Sequence, residues 1–289
     1  MERNNYFEMK TIRNLLIIAI AVIATACGGK TSGKPTLMVS IPPQKFVLER
    51  IAGGKWDVEC MLEKATSAES YDPEMSQMMK LERCRAYFLI GNLGFERLVA
   101  DKLSGNRSKT LVNSAEGITT IGSHSHHGES EADPHVWMSV ENLRAVARNM
   151  AAALTEIDVA NKAFYQANLQ RFDGEMKALG DSLQHQLAGA RGRAFVVWHP
   201  ALTYFARDYG LHQISIEYEG KEAPMSFVAE KVAEAVGHHA MVFFMQKGLD
   251  SRQASSISDR IGLRRVEINP LSYDWISEMK HIADEIARQ

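Results

Sequence analysis

Two α/β lobes, each a parallel-type sheet flanked by helices and the pair bridged by one long α-helix, are the architecture this sequence predicts. Three features carry that expectation. Short apolar strands alternate with helical segments from Leu37 to Ile121. No proline occurs between Pro134 and Pro200, where the pattern is strongly helical, and the alternation resumes at Ala194. Strand–helix alternation argues for parallel sheets, because parallel neighbours need a crossover connection.

Leu37 to Ile41 is an apolar strand ended by Pro42 and Pro43. Proline suits the first turn of a helix, so one opens there and continues to about Ile51, where Gly53 and Gly54 stop it. The cycle repeats as a strand over 57–62, a helix over 73–81, a strand over 86–90 and a helix over 95–103, with strand-like pieces at 110–112 and 118–121. After the polar stretch 122–133, one helix covers 140–154. A second begins near Asp158, with Phe172, Met176, Leu179, Leu183 and Leu187 at spacings of 4, 3, 4 and 4 forming one apolar stripe. Unbroken to Leu187 it would run about 45 Å, and Gly174 or Gly180 would be the place for a bend. Then come a strand over 194–198, a helix over 201–209 ended by Gly210, a strand over 213–217 and a helix over 226–236. A strand over 241–245, a helix over 251–261 ended by Gly262, a strand over 265–268 and a closing helix over 273–287 complete the chain. The lobes are alike in pattern and not in sequence. The expected division is a signal peptide over 1–26, a lipid-anchored tether over 27–35, an N-terminal lobe over 36–155, a bridging helix over 156–190 and a C-terminal lobe over 191–289.

Composition narrows the function classes. With 289 residues, 45% hydrophobic and 24% charged, the chain is neither disordered nor collagen-like. Thirty-three basic against 35 acidic residues give a formal charge of -2, which argues against nucleic acid held by bulk electrostatics. Three cysteines make no disulfide framework, and without paired CxxC motifs any metal must be bound by other residues.

The N-terminus has the pattern of a secretory signal: Lys10 and Arg13, an apolar run from Leu15 to Ile23, then Ala24, Thr25, Ala26 and Cys27. The run is well short of the roughly 20 apolar residues that span a bilayer. Ala24 to Cys27 resembles a bacterial lipobox, which makes Cys27 the acylated N-terminus of the mature chain; ordinary cleavage nearby is the alternative. Gly28 to Gly33 then forms a flexible tether. Cys60 and Cys84 could pair in an exported compartment, but their apolar contexts favour buried thiols.

In open α/β sheets ligands bind outside the carboxyl ends of the strands, and that rule sorts the histidines. His199 directly follows the strand 195–198, His135 lies in Asp133-Pro134-His135 ahead of the helix at 140, and Glu69 stands between the second strand and its helix. Two imidazoles and a carboxylate from three loops can hold a divalent cation of the zinc, manganese or iron class. His212, His238 and His239 lie at element ends with no partner evident in the sequence and are expected to be ordinary surface residues.

The segments ESYDPEMSQ (69–77), DPHVWMS (133–139), VVWHPALTYFARDYGL (196–211), IEYEGKEA (216–223) and INPLSYDW (268–275) resemble the solute-binding lipoproteins of zinc and manganese ABC importers, the cluster A-I or ZnuA/TroA-like family. The resemblance runs from about Thr36 to the C-terminus. It implies a metal held between two lobes by three or four side chains, with His135 and His199 on two of the ligand positions. Glu69 stands where the family usually has histidine, in a motif normally written His-x-Tyr-Glu-Pro. A fourth position, aspartate in many members, falls on Asn269, which supplies no carboxylate and leaves water, Glu267 or Asp274 as alternatives.

The resemblance also implies a non-enzymatic carrier that hands its cation to a membrane permease, works as a monomer, and is lipid-anchored to a bacterial membrane facing the periplasm or exterior. His124, His126 and His127 form a short tract where zinc-specific members carry a histidine-rich loop, which points to auxiliary zinc capture. Glu69 makes the donor set harder and pulls toward manganese or iron; the nitrogen-rich tract pulls toward Zn2+, the expected ion, with Mn2+ as the alternative. No HExxH segment supports a metallohydrolase, and a carrier of a chelate or organic solute is the remaining competitor.

Overall fold

The computed structural model describes residues 33–63, 67–105, 109–122, 132–217, 223–248 and 252–288. Cys27 and the tract His124, His126 and His127 lie outside the described residues. Four strands, β1 (Thr36–Val39), β2 (Asp57–Cys60), β3 (Ala86–Leu89) and β4 (Thr110–Asn113), form a sheet in the order β2-β1-β3-β4. Four more, β5 (Ala194–Val197), β6 (His212–Ser215), β7 (Phe243–Gln246) and β8 (Arg265–Ile268), form a second sheet in the equivalent order β6-β5-β7-β8. Every pairing is parallel. In each sheet the order reverses beside its first strand, which places loops from both sides of that strand around one crevice at the carboxyl ends.

Helices α1 (Pro42–Ala52), α2 (Met75–Leu81) and α3 (Gly94–Ser104) connect the first four strands, and α6 (Thr203–Tyr209), α7 (Met225–Gly237) and α8 (Arg252–Ile261) the second four. Helix α1 opens on Pro42 and closes at Gly53, whose φ of 55° is left-handed. A Cβ there would come within 2.6 Å of the tip of the Phe164 ring, so the conformation favours glycine and a side chain would have to displace that ring.

Between the sheets run α4 (Val140–Ile157) and α5 (Lys162–Gln186), followed later by the closing helix α9 (Trp275–Ala287). Ser139 caps α4 by accepting from the Asn142 backbone amide at 3.1 Å. The second long helix, expected to begin near Asp158, begins at Lys162. Asp158 leaves helical geometry and accepts from Asn161 and from the Tyr165 hydroxyl, and a 3-10 turn over Val159–Asn161 reverses the chain. With 25 residues, α5 is about 37 Å long. It continues unbroken through Gly174 and Gly180; the latter lies where a Cβ would touch Val140 at 3.4 Å, so it serves the close approach of α4. A bidentate pair from Arg144 to Asp173, 2.7 and 2.8 Å, ties the two helices on their outer side.

The strand expected at 118–121 is absent; an isolated bridge between Gly122 and Ala132 stands near that place. Its apolar residues Ile118 and Ile121 instead pack on the core as loop. Cys60 and Cys84 are both buried free thiols, each donating to a backbone carbonyl, Ser40 and Leu81 respectively. Burial pushes the Cys60 thiol up to about 12, which keeps it unreactive.

One apolar core runs through both sheets. It takes in both faces of the first sheet, the inner faces of α4, α5 and α9, and Phe195, Val197 and Phe244 of the second sheet. A smaller core of Val196, Ile214, Phe243, Val228 and Ile257 fills the opposite face of the second sheet beneath α7 and α8. Two indoles tie the lobes at their centre: Trp137 donates to the Pro270 carbonyl at 2.8 Å, and Trp275 donates to the Trp137 carbonyl at 3.0 Å. Both side chains are essentially fully buried.

Candidate metal centre

Three chain segments that the sequence places far apart meet at the carboxyl ends of the two sheets. Glu69 comes from the loop after β2, His135 from the segment just before the 3-10 turn Val136–Met138, and His199 from the loop after β5. A single carboxylate oxygen, Glu69 Oε1, lies 2.9 Å from His135 Nε2 and 3.3 Å from His199 Nε2. The two imidazole rings are 5.1 Å apart at 69°. Among the described residues, this is the group of three potential ligands whose donor atoms all fall within 4.8 Å of one another.

Each histidine is also held from behind. His135 Nδ1 is 2.9 Å from Asp133 Oδ1, which also accepts from the His135 backbone amide at 2.9 Å. His199 Nδ1 is in short contact with Glu217 Oε2. A carboxylate on Nδ1 fixes both the ring orientation and the tautomer, and leaves Nε2 free to bind the cation. The Trp137 ring, 5.0 Å from that of His135, covers its other side.

Three carboxylates face two imidazoles in this cluster. Burial alone would raise the Glu69 carboxyl, but bonds from His135 and His199 outweigh it and hold the group well below the usual carboxylate range. Burial would lower His199; Glu217 and Glu69 together push it up to about 10. His135 is raised in the same way, mainly by Asp133 and then Glu69. Both imidazoles are thus drawn toward their charged form by the neighbouring carboxylates.

Asn269 follows β8, and its Oδ1 accepts from the Leu271 amide at 3.2 Å within its own turn. Its backbone amide donates to Glu278 at 2.7 Å. Neither Glu267 nor Asp274 belongs to the converging group. The functional residues that residue-by-residue reasoning left without a role are Asp133 and Glu217. Asp133 was legible, two residues before His135 in the same segment; Glu217 lies just beyond the carboxyl end of β6, and the strand order is what shows β6 to be the neighbour of the strand carrying His199.

Two parallel α/β lobes joined by a long helix, with an oxygen and two nitrogen donors converging between them, define a solute-binding protein for a divalent cation. Residues 37–289 match the model of the ZnuA family, zinc-uptake complex component A, periplasmic, and the chain belongs to that family. It is 23% identical to the high-affinity zinc uptake system protein ZnuA of Bacillus subtilis strain 168, over 89% of this chain and 87% of that protein. It is 25% identical to the manganese ABC transporter substrate-binding lipoprotein PsaA of Streptococcus anginosus, over 86% of each. Among solved structures, a crystal structure of ZnuA superposes with a TM-score of 0.81 at 33% identity, covering 88% of this chain and 98% of the other. The chain is thus the extracytoplasmic metal-binding component of an ABC importer, and not an enzyme.

Proposed function

We propose that the cargo is Zn2+, held by Glu69, His135 and His199 and handed to the importer's permease. The observation that carries this reading is the convergence of both Nε2 atoms on Glu69 Oε1, with both Nδ1 atoms already engaged by carboxylates. Two imidazoles and a glutamate are a known three-ligand set for zinc, with bonds of about 2.0–2.2 Å and a fourth position open to water. Water is the expected fourth ligand, since the Asn269 amide oxygen is engaged in its own turn. A deletion mutant of ZnuA, 33% identical to this chain, was solved with zinc bound, which supports the same choice. The tract His124, His126 and His127 would add nitrogen donors for zinc capture, and acylated Cys27 would keep the monomeric carrier at the membrane that holds its permease.

The Mn2+ reading rests on the harder oxygen of Glu69 and on the manganese-named relative. Calorimetric titration of the metal-stripped protein with each ion decides between them. Zinc is expected to bind more tightly than micromolar and to exclude manganese. Tighter manganese binding would reverse the assignment, and weak binding of both would sink it.

A further inference from the structure

One face of α6 grips the segment that carries His135 at both of its ends. Tyr204, Arg207 and Asp208 stand at i, i+3 and i+4 on that helix, which places them together. At one end, the Tyr204 hydroxyl donates to the Asp133 carbonyl at 2.8 Å and accepts from the Ile121 amide at 3.1 Å. At the other, Ser139 Oγ donates to the Asp208 carboxylate and accepts from Arg207 at 3.4 Å. Arg207 also bonds the second oxygen of Asp208, at 2.7 and 2.8 Å. Tyr204 and Ser139 are fully buried and Asp133 nearly so.

The Tyr204 hydroxyl stands where a ladder bond would be. Asp133 donates from its amide to the Ile121 carbonyl at 2.8 Å, next to the antiparallel bridge of Gly122 with Ala132. Antiparallel residues paired in this way exchange a second bond, here from the Ile121 amide to the Asp133 carbonyl. Tyr204 puts an oxygen between those two groups and bonds both. A side chain of the second lobe therefore sets how far Asp133 stands from Ile121, and with it the place of the carboxylate on His135 Nδ1.

We propose that Tyr204 is a positioning residue for metal capture, fixing His135 relative to His199 through the Asp133 carbonyl. The inference rests on the reading that both histidines hold the ion. His199 leads into α6 and Tyr204 leaves from its first turn, so one helix follows the first ligand directly and grips the segment bearing the second. The two imidazoles, with rings 5.1 Å apart, are thereby held as a pair by contacts that do not involve the ion. Without the hydroxyl, the Ile121 amide and the Asp133 carbonyl either lose their partner or close on each other directly. Both changes draw Asp133 from its place, and His135 follows the carboxylate and backbone that hold it.

Tyr204→Phe keeps the ring and removes the hydroxyl. In the metal-stripped full chain, competition against a chelator of known affinity should show zinc binding weakened by about three- to tenfold, less than the loss of a group bonded directly to a ligand. With Co2+ as a spectroscopic stand-in for zinc, the visible absorption band should shift, because it reports the geometry of the donor atoms. Tyr165→Phe is the control. That hydroxyl also has two partners, Trp56 and Asp158, but at the turn that ends α4, about 27 Å along the helix from Ser139. It should lower the melting temperature and leave both metal readouts unchanged. In a His135→Ala background the positioned ligand is gone, so adding Tyr204→Phe should weaken binding no further. Parental zinc affinity and Co2+ spectrum in Tyr204→Phe, or the same fold loss in the His135→Ala background, overturns the proposal. If His135→Ala alone binds zinc as the parent does, the reading of the site itself fails, and this inference falls with it.

Discussion

His135 and Glu69 face the same point from opposite kinds of ground. His135 is 6% exposed, clamped at Nδ1 by Asp133 and backed by Trp137, whose own donor and carbonyl tie into the second lobe. Glu69 is 35% exposed on a loop, where its other oxygen accepts from the nearby Ser67 hydroxyl at 2.9 Å. The difference separates two tasks. The histidine side supplies a position fixed by the shared core, and the glutamate side supplies a charge that can adjust to whichever ion arrives.

The largest effect comes from breaking the fixed side at its root. Trp275→Ala removes a fully buried indole and orphans the Trp137 carbonyl, and it should cost about 3–5 kcal/mol of unfolding free energy. Urea denaturation of the metal-free protein measures this. A loss below about 1 kcal/mol would mean that the two indoles do not lock the lobes.

Next is the contrast between the ligands. His135→Ala should weaken zinc more than about 100-fold, beyond what loss of an outer-shell partner costs, whereas Glu69→Ala should cost only about tenfold. Competition against a chelator of known affinity reads both. Equal losses would abolish the distinction between a fixed and an adaptable side, and an unchanged affinity in Glu69→Ala would remove that residue from the site.

Acidity acts on zinc affinity and on the stability of the metal-free protein in opposite senses. With His199 raised to about 10 and His135 raised too, zinc must expel imidazole protons, so apparent affinity should fall by at least about tenfold per pH unit on going from pH 8 to 6. The metal-free protein follows the reverse trend. A histidine with a raised folded-state value contributes stability that is complete below its unfolded value near 6.5 and is lost as pH rises through about 10. Calorimetry in buffers of different ionisation heat would count the released protons. Release of none would place the protons elsewhere.

Much of this was legible in the sequence, and the exceptions have physical causes. The alternation of apolar strands and helices predicts both sheets because parallel strands need those crossovers. The strand-end rule likewise singles out His199 in its loop, whereas His135 comes from its Asp-Pro-His segment and the family resemblance. A break between the two long helices near Asp158 was legible, but not its form, which lies in side-chain bonds to Asn161 and Tyr165 that compete with helix continuation. The Ile118–Ile121 segment has strand-like composition, but tertiary packing sets its use. Glu217 behind His199, and the meeting of His212 with His238, depend on which strands and helices become neighbours, and strand order is not written in local periodicity.

The smallest expected effect tests whether the bridge between the two kinds of ground flexes during capture. Gly174 lies in the exposed interior of α5, and a Cβ there meets nothing within 4 Å, so Gly174→Ala should stabilise the protein by about 0.5–1 kcal/mol through helix propensity alone. Zinc affinity should stay the same, because the shared core and the Trp137–Trp275 contacts already set the relation of the lobes. Thermal melting and zinc titration of the one variant check both statements. A stabilised protein with altered affinity would show that α5 bends as the ion binds, and would move the adaptable element from the Glu69 loop to the helix.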